Sequence, residues 1–237
     1  YKVTYVAPGD SGTLVNQLVL TKDAPLGDVV YGIDNTFASR ASDEGVLVDY
    51  ESPALPGNAQ QFAADQLTPI DFGDVCINAD KAWFEERKLD VPTTLDDLTD
   101  PEYKDLLVLT NPASSSPGLA FLLATIGAKG EDGYLDYWKA LRDNGAKIDS
   151  DWTEADGDGP RPLVFSYATS PAYTVDGESS TTEALLGTCF RQIEYAGILK
   201  GAANEVGARK FIDFMLSPEV QSGIQYYIYM YTSVSDT

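Results

Sequence analysis

Three consecutive serines stand directly before a proline and a glycine, at residues 114–118. We predict that Ser116 caps a helix and that Pro117 is its first residue, where the missing N–H of proline costs nothing. A helix start has unpaired backbone N–H groups and the positive end of the helix dipole. With the hydroxyls of Ser114, Ser115 and Ser116 beside it, it can bind phosphate or carboxylate oxygens. An ordinary capped helix explains the pattern equally well, and no Gly-Lys-Ser or Gly-Lys-Thr follows, which excludes a Walker A loop.

Aromatic side chains flank several of the predicted loops, at Trp152, Tyr167, Tyr173 and the tail segment 226–231. Aromatic faces combined with a carboxylate such as Asp10 can hold a cation by cation–π attraction and ion pairing. Tyrosine pairs can also ligate ferric iron. Aromatic residues at strand ends more often pack in the core, so packing stays open as an explanation beside ligand binding.

The chain contains no histidine, and this excludes several kinds of chemistry. Residues 9–12 read Gly-Asp-Ser-Gly and are similar to the nucleophile turn of serine proteases, but a serine nucleophile needs a general base that is normally histidine. No S-x-x-K start for a serine–lysine device is present either. Metal sites built on histidine are excluded, and we expect no cofactor.

The composition shows a strongly acidic chain, with 16 Lys and Arg against 37 Asp and Glu and a formal net charge of −21. Such a surface repels phosphate backbones, so we expect no nucleic-acid partner. It would attract a cationic ligand, although solubility alone also explains the acidity. No apolar run is long enough to span a membrane. No signal peptide is visible, and the chain is therefore expected to be a processed or trimmed product.

The two cysteines, Cys76 and Cys189, lie far apart and fit no CxxC or zinc spacing. A pair of buried thiols and one long-range disulfide in an exported protein are both compatible with this spacing. The composition does not decide between them.

The elements that must position these residues alternate between strand and helix. The pattern predicts strands at residues 1–7, 28–33, 68–78, 106–109 and 163–167, with the strand at 68–78 interrupted at 71–74. It predicts helices at residues 13–20, 37–44, 81–88, 119–126, 133–144 and 205–216, the last with Val206, Phe211, Ile212 and Met215 facing inward. This order indicates an α/β fold with ligand groups at the carboxyl ends of strands, where Asp10 and Asp34 would lie. Because the alternation continues beyond the size of one unit, we expect two lobes.

Six ordered segments carry a resemblance to a known family. They are DVVYGIDN at 28–35, PIDFG at 69–73, NPASSSPGL at 111–119, WTEA at 152–155, SYATSPAY at 166–173 and FIDFMLSP at 211–218. Over nearly its whole length the chain resembles the periplasmic thiamine-binding proteins of ABC importers. The pattern Ser-Tyr-x-Thr-Ser-Pro-x-Tyr at 166–173 is the most specific of these matches.

The resemblance implies a two-lobed, type II-like periplasmic-binding-protein fold whose lobes are joined by hinge strands. Lobe 1 would comprise residues 1–73 and 191–237, and lobe 2 residues 74–190, with the family's first strand absent ahead of Tyr1. The implied function is to capture thiamine or a thiamine phosphate in the cleft between the lobes and to deliver it to a membrane permease, without catalysis. The protein would act as a monomer outside the cytoplasm, either in the periplasm or as a lipoprotein anchored at the outer face of the membrane.

The resemblance also implies roles for individual residues. Asp10 matches an acidic ligand contact, and Ser115 matches a phosphate-side serine, with Ser114 and Ser116 beside it. The aromatic and hydroxyl contacts around the thiazolium and its phosphate match Trp152, Tyr167 and Tyr173, and Tyr229 stands where the family has a ligand-stacking tryptophan. Cys76 falls on a hinge-region strand and Cys189 on a returning strand, which for an exported protein favours a disulfide.

Three departures from the family pattern leave the identity of the ligand undecided, and the first is the absence of the family's first strand and following loop ahead of Tyr1. The loop at 155–159 is short, and Thr232-Ser233 replaces a Pro-Val pair after the tail motif. The alternatives are a relative that binds ferric iron through Tyr167 and Tyr173, a relative that binds a phosphonate or a polyamine, and a thiamine-degrading enzyme of similar fold.

Overall fold

The computed structural model describes residues 2–149 and 161–233. Its α-helices are α1 (Ser11–Leu20), α2 (Ala38–Asp43), α3 (Lys81–Arg87), α4 (Ser116–Asp143), α5 (Ser170–Tyr173), α6 (Glu205–Met215) and α7 (Pro218–Tyr227). Its strands are β1 (Val29–Asp34), β2 (Leu47–Val48), β3 (Thr68–Asp80), β4 (Leu107–Thr110), β5 (Lys147–Asp149), β6 (Leu163–Tyr167), β7 (Val175–Asp176), β8 (Ser179–Ser180), β9 (Thr182–Leu199) and β10 (Tyr231–Thr232). Within this part of the chain, every helix is too short or too polar to span a lipid bilayer.

The described residues divide into two units. Unit 1 comprises residues 2–72, 193–225 and 231–233, and unit 2 comprises residues 73–149, 161–192 and 226–230. The chain passes between the units inside strand β3, after Phe72, and inside strand β9, after Gln192. The short segment Tyr226–Met230 belongs to unit 2, although the residues on both sides of it belong to unit 1.

Unit 1 is built on the carboxyl-terminal part of β9. Strands β1 and β2 both pair antiparallel with β9, with Val29 opposite Ile198 and Leu47 opposite Leu199. Helices α1 and α6 pack against β1, and α1 also packs against α2. The side chains of Val15 and Ile33 are fully buried between these elements, as helical and strand spacing of apolar residues requires.

Unit 2 has the strand order β3-β6-β4-β5, in which β6 is antiparallel to β3 and the last three strands are parallel. Helix α4 packs against β4 and β6 and buries Phe121, whose ring meets Phe165 edge-on at 5.0 Å between centroids. Gly130, with φ 72° and ψ 169°, breaks α4 into two helical segments. The two helices predicted at 119–126 and 133–144 are therefore confirmed as the two parts of one interrupted span.

Three of the sequence predictions are wrong in detail. Residues 2–7 form no strand: Tyr5 is 85% exposed, and no strand pairs with this segment in the described residues. Alternation alone does not make a strand, because the backbone groups need a neighbouring chain. Strand β3 is continuous through residues 71–74, where we expect an interruption, since β10 pairs with it at Asp71 and Phe72 and β6 pairs with it from Val75 onward. Val206 is 66% exposed, because the buried stripe of α6 runs through Ala208, Ile212 and Met215.

Candidate ligand-binding site

A concavity of about 260 Å³ lies in unit 2, at the end of strand β6. It is lined by Tyr167, Thr169, Ser170, Tyr173, Ile228 and Tyr229. Tyrosine side chains make up half of this lining, and the surface that it presents is largely apolar. The structure therefore brings together Tyr167, Tyr173 and Tyr229, three of the side chains singled out in the sequence.

The first wall comes from the turn between β6 and α5. Strand β6 ends at Tyr167, and the one-turn helix α5 begins at Ser170, with Pro171 in its first turn. The hydroxyls of Ser166 and Ser170 are hydrogen-bonded at 2.9 Å and close this turn. As a result Tyr173 stands on the same side as Tyr167 and remains 70% exposed.

The second wall is Tyr229, which follows the end of α7. Its backbone lies in the left-handed region, with φ 56°, a conformation that residues other than glycine adopt only where the surrounding structure favours it. Its ring meets the ring of Tyr173 edge-on, with 5.5 Å between centroids and an angle of 73° between the planes. This arrangement matches the preferred geometry of aromatic pairs and leaves Tyr229 38% exposed.

Tyr167 is held at both its main chain and its side chain. The amide of Asn78 donates a hydrogen bond to the Tyr167 carbonyl at 3.1 Å, and the amide of Gln192 donates to the Tyr167 hydroxyl at 2.8 Å. A Cβ atom at Gly73 would lie 3.1 Å from the Tyr167 ring and 2.9 Å from the Met230 methyl. Glycine at this position therefore lets the ring and Met230 lie directly against β3.

The serines at the start of α4 lie in unit 2 but do not line the concavity. The N-cap is Ser115, with φ −114° and ψ 133°, so the prediction of Ser116 as N-cap is wrong by one residue. The buried hydroxyl of Ser115 is bonded to the Thr110 hydroxyl at 2.8 Å, which ties the helix start to the end of β4 and shifts the cap. Ser116 is also buried, whereas Ser114 is half-buried. The first turn of α4 is therefore buried in unit 2 and attached to β4 by the hydrogen bond between Ser115 and Thr110.

The remaining predicted residues have different locations. Asp10 lies in unit 1, where its carboxylate accepts a hydrogen bond from the Ser11 N–H at 2.8 Å and caps helix α1. Trp152 lies outside the described residues. Cys76 and Cys189 are joined by a disulfide between β3 and β9 within unit 2. Cys76 is paired with Ser166 of β6, so this bridge is next to the strand that carries Tyr167.

Sequence reasoning missed a buried acidic cluster in unit 1. Asp71 is fully buried and accepts a hydrogen bond from the Tyr31 hydroxyl at 2.5 Å. Burial first, and the nearby Glu194 carboxylate second, raise the pKa of the Asp71 carboxyl well above its ordinary value of 3.8. Burial and Asp71 likewise raise the pKa of the Tyr31 phenol. The sequence shows Asp71 inside an apolar strand, in the segment 71–74 that we predict to interrupt this strand.

Comparison with known proteins gives concordant results. Residues 24–236 match the profile of the family described as bacterial extracellular solute-binding protein. The thiamine-binding periplasmic protein of Brucella melitensis is 29% identical over 233 residues, which cover 94% of this chain and 67% of the relative. The thiamine-binding periplasmic protein of Escherichia coli K12 is 29% identical over 236 residues, which cover 95% of this chain and 70% of the relative.

Two solved structures are similar to this chain in fold. A periplasmic thiamin-binding protein has a TM-score of 0.85 and 28% identity, covering 98% of this chain and 74% of its own. Iron-bound HitA from Pseudomonas aeruginosa has a TM-score of 0.76 and 20% identity, covering 97% of this chain and 77% of its own. The second likeness concerns the fold alone. The predicted α/β fold of periplasmic binding proteins is therefore confirmed.

Proposed function

Since this chain belongs to the bacterial extracellular solute-binding proteins, we propose that it captures thiamine or a thiamine phosphate outside the cytoplasm and delivers it to the permease of an ABC importer. Support comes from relatives at 29% identity that are named as thiamine-binding. The observation that carries the proposal is the gathering of Tyr167, Tyr173 and Tyr229 around one concavity.

The chemistry of this concavity suits a ligand that combines a cationic ring with oxygen atoms. Thiamine has a thiazolium ring, which carries a permanent positive charge, and a hydroxyethyl arm that can be phosphorylated. Tyrosine faces attract such a ring, with an energy of about 2 kcal/mol where both partners are desolvated. The hydroxyls of Tyr167, Thr169 and Ser170 can bond to the oxygens of the arm. The net charge of −21 raises the local concentration of a cationic solute.

We propose the following ligand contacts, of which, among the described residues, only the three tyrosines line this concavity. Tyr229 stacks on a ring of the ligand, and Tyr173, which holds it edge-on, completes the aromatic wall. Tyr167 contributes both a ring face and a hydroxyl. Ser114, Ser115 and Ser116 contact a phosphate, Asp10 supplies a carboxylate, and Trp152 supplies a further aromatic contact. The protein acts as a monomer and binds without changing its ligand.

Ferric iron is the second candidate ligand. Tyr167 and Tyr173 line the same concavity, and paired tyrosinate oxygens ligate this ion. Addition of a ferric salt would then produce a visible charge-transfer band, which thiamine binding does not give.

Titration calorimetry with thiamine and its monophosphate tests the proposal, together with native mass spectrometry of the purified protein. Tyr229→Ala is expected to weaken thiamine binding at least about tenfold, since loss of a desolvated cation–π contact amounts to about 2 kcal/mol. Tyr227→Ala is the matched control, because Tyr227 lies in the same segment, is 85% exposed and does not line the concavity. Absence of thiamine binding by the unaltered chain, or equal losses in the two variants, would refute the proposal.

A further inference from the structure

A partly buried hydrogen bond links a residue of the candidate site to a side chain on the far side of strand β3. Gln192 lies on β9 and Tyr167 on β6, and the strand order places β3 between them. The bond forms where β3 carries Gly73, whose missing side chain lets the Tyr167 ring lie over the strand. All three residues belong to unit 2. The arrangement therefore depends on one residue from each of three neighbouring strands.

The Gln192 side chain is fully buried, with 0% exposure. A buried primary amide loses its hydration, so its hydrogen bonds within the protein matter for its stability there. Its Nε2 atom donates to the Tyr167 hydroxyl oxygen at 2.8 Å. Since Tyr167 lines the concavity, the buried amide is bonded to a residue of the candidate site.

The direction of this hydrogen bond determines whether the Tyr167 hydroxyl can donate a hydrogen bond to a ligand. An amide N–H is a donor only, so the Tyr167 oxygen is the acceptor and its own proton lies on another side. Other contacts also position this residue, because the Tyr167 ring lies against Gly73 and the Asn78 amide donates a hydrogen bond to the Tyr167 carbonyl. The hydrogen bond from Gln192 restricts the rotation of the Tyr167 O–H bond.

We propose that Gln192 is a positioning residue that sets Tyr167 as a hydrogen-bond donor to an oxygen of the bound ligand. The pair thereby selects ligands with an acceptor oxygen at this place, such as the hydroxyl or phosphate of the thiamine arm. The inference rests on the proposed function of the same site. It adds a specificity-determining residue that does not touch the ligand and acts through Tyr167.

A double-mutant cycle with Gln192→Leu and Tyr167→Phe tests this inference, with thiamine monophosphate as the probe in titration calorimetry. Each single substitution is expected to weaken binding about tenfold, the usual effect of one lost hydrogen bond to a charged group. The double variant is expected to bind no more weakly than Tyr167→Phe alone, because without the hydroxyl the amide has nothing to orient. A loss from Gln192→Leu that is equally large in the Tyr167→Phe background overturns the inference, since Gln192 would then act by packing.

Gln192→Glu provides a second and sharper variant. A carboxylate at this position accepts the Tyr167 proton and reverses the hydrogen bond, so the loss of affinity is expected to exceed that of Gln192→Leu. Affinity in the glutamate variant that equals that of the unaltered chain overturns the inference. Gln192→Met keeps the length of the side chain without its donor and replaces Leu in the cycle if the leucine variant does not fold.

The results distinguish a failure of the proposed thiamine binding from a failure of the proposed role of Gln192. If the unaltered chain binds neither thiamine nor its monophosphate, the proposed function fails and the inference fails with it. If the unaltered chain binds but the effects of the two substitutions add, the inference alone fails. If it binds and the cycle is non-additive as described, the role of Gln192 is established.

Discussion

Removal of the Cys76–Cys189 disulfide is expected to destabilise unit 2 and to leave its fold intact. The bridge joins β3 to β9 across a sequence separation of 113 residues. Other contacts connect the same strands: the Thr188 hydroxyl accepts a hydrogen bond from the Ile77 N–H at 2.9 Å, and Arg191 pairs with Asp74 through two hydrogen bonds. These contacts remain when the bridge is lost, so the strands still have specific interactions to hold them together.

The size of the effect follows from the length of the closed loop. Cross-linking residues 113 positions apart removes about 5 kcal/mol of chain entropy from the unfolded state, and measured effects of native disulfides are more often about 2–4 kcal/mol. For a chain of this length, about 1 kcal/mol corresponds to roughly 2–4 °C in Tm. We therefore expect a fall in Tm of roughly 5–15 °C on loss of the bridge.

The assay compares thermal unfolding with and without a thiol reductant for the unaltered chain and for the double variant Cys76→Ala, Cys189→Ala. Alanine is chosen because Cys76 is fully buried and a serine hydroxyl would need a partner there. The reductant is expected to lower the Tm of the unaltered chain to about that of the variant and to leave the variant unchanged. A thiol titration must show two free thiols after reduction. Full reduction with a change in Tm below about 2 °C would refute the reasoning.

Two further predictions concern stability. Because the pKa of the Asp71 carboxyl is raised above 3.8, the folded state holds this proton more tightly than the unfolded chain. Its stabilising contribution is therefore complete below about pH 4 and is lost as pH rises through the folded-state pKa, by at most about 1.4 kcal/mol per pH unit. Asp71→Asn is expected to flatten this fall in urea unfolding between about pH 4 and pH 8, and unchanged pH dependence would contradict the assignment. Gly118→Ala is expected to lower the unfolding free energy by about 1–3 kcal/mol, because its Cβ would overlap the Thr110 carbonyl oxygen and lie 2.8 Å from the Asn111 carbonyl carbon. Gly127→Ala in the same helix is the control, since its Cβ meets nothing within 4 Å, and equal losses in both would contradict the steric argument.

The spacing of apolar residues predicts a helix or strand when that spacing alone marks the buried face. Helix α1 and strand β1 are of this kind, and the apolar side chains of Val15 and Ile33 are fully buried. In helix α6 the same reasoning mistook Val206 for a core residue. Ala208, Ile212 and Met215 follow one another at helical spacing and define the buried stripe, and Val206 lies outside it.

Only part of the candidate site can be predicted from the sequence. Tyr167 and Tyr173 lie in one short motif, so their proximity follows from local structure. Tyr229 joins them only because the segment Tyr226–Met230 returns to unit 2, and no local signal marks such a return. Gln192 could not be found at all, since its bond to Tyr167 depends on strand order and on a glycine in the strand between them.

The residues that hold Tyr167 are concentrated on the two strands through which the chain passes between its units. Strand β3 carries Gly73 and Cys76, and strand β9 carries Cys189 and Gln192, all within unit 2. A ligand that accepts the Tyr167 proton is therefore bonded to a group whose position is set by these strands. Tyr229 belongs to a separate segment, Tyr226–Met230, whose Met230 lies against Gly73 of β3. In the proposed site the two strands set the direction of the hydrogen bond and this segment supplies the ring contact, so the two functions are connected through Gly73.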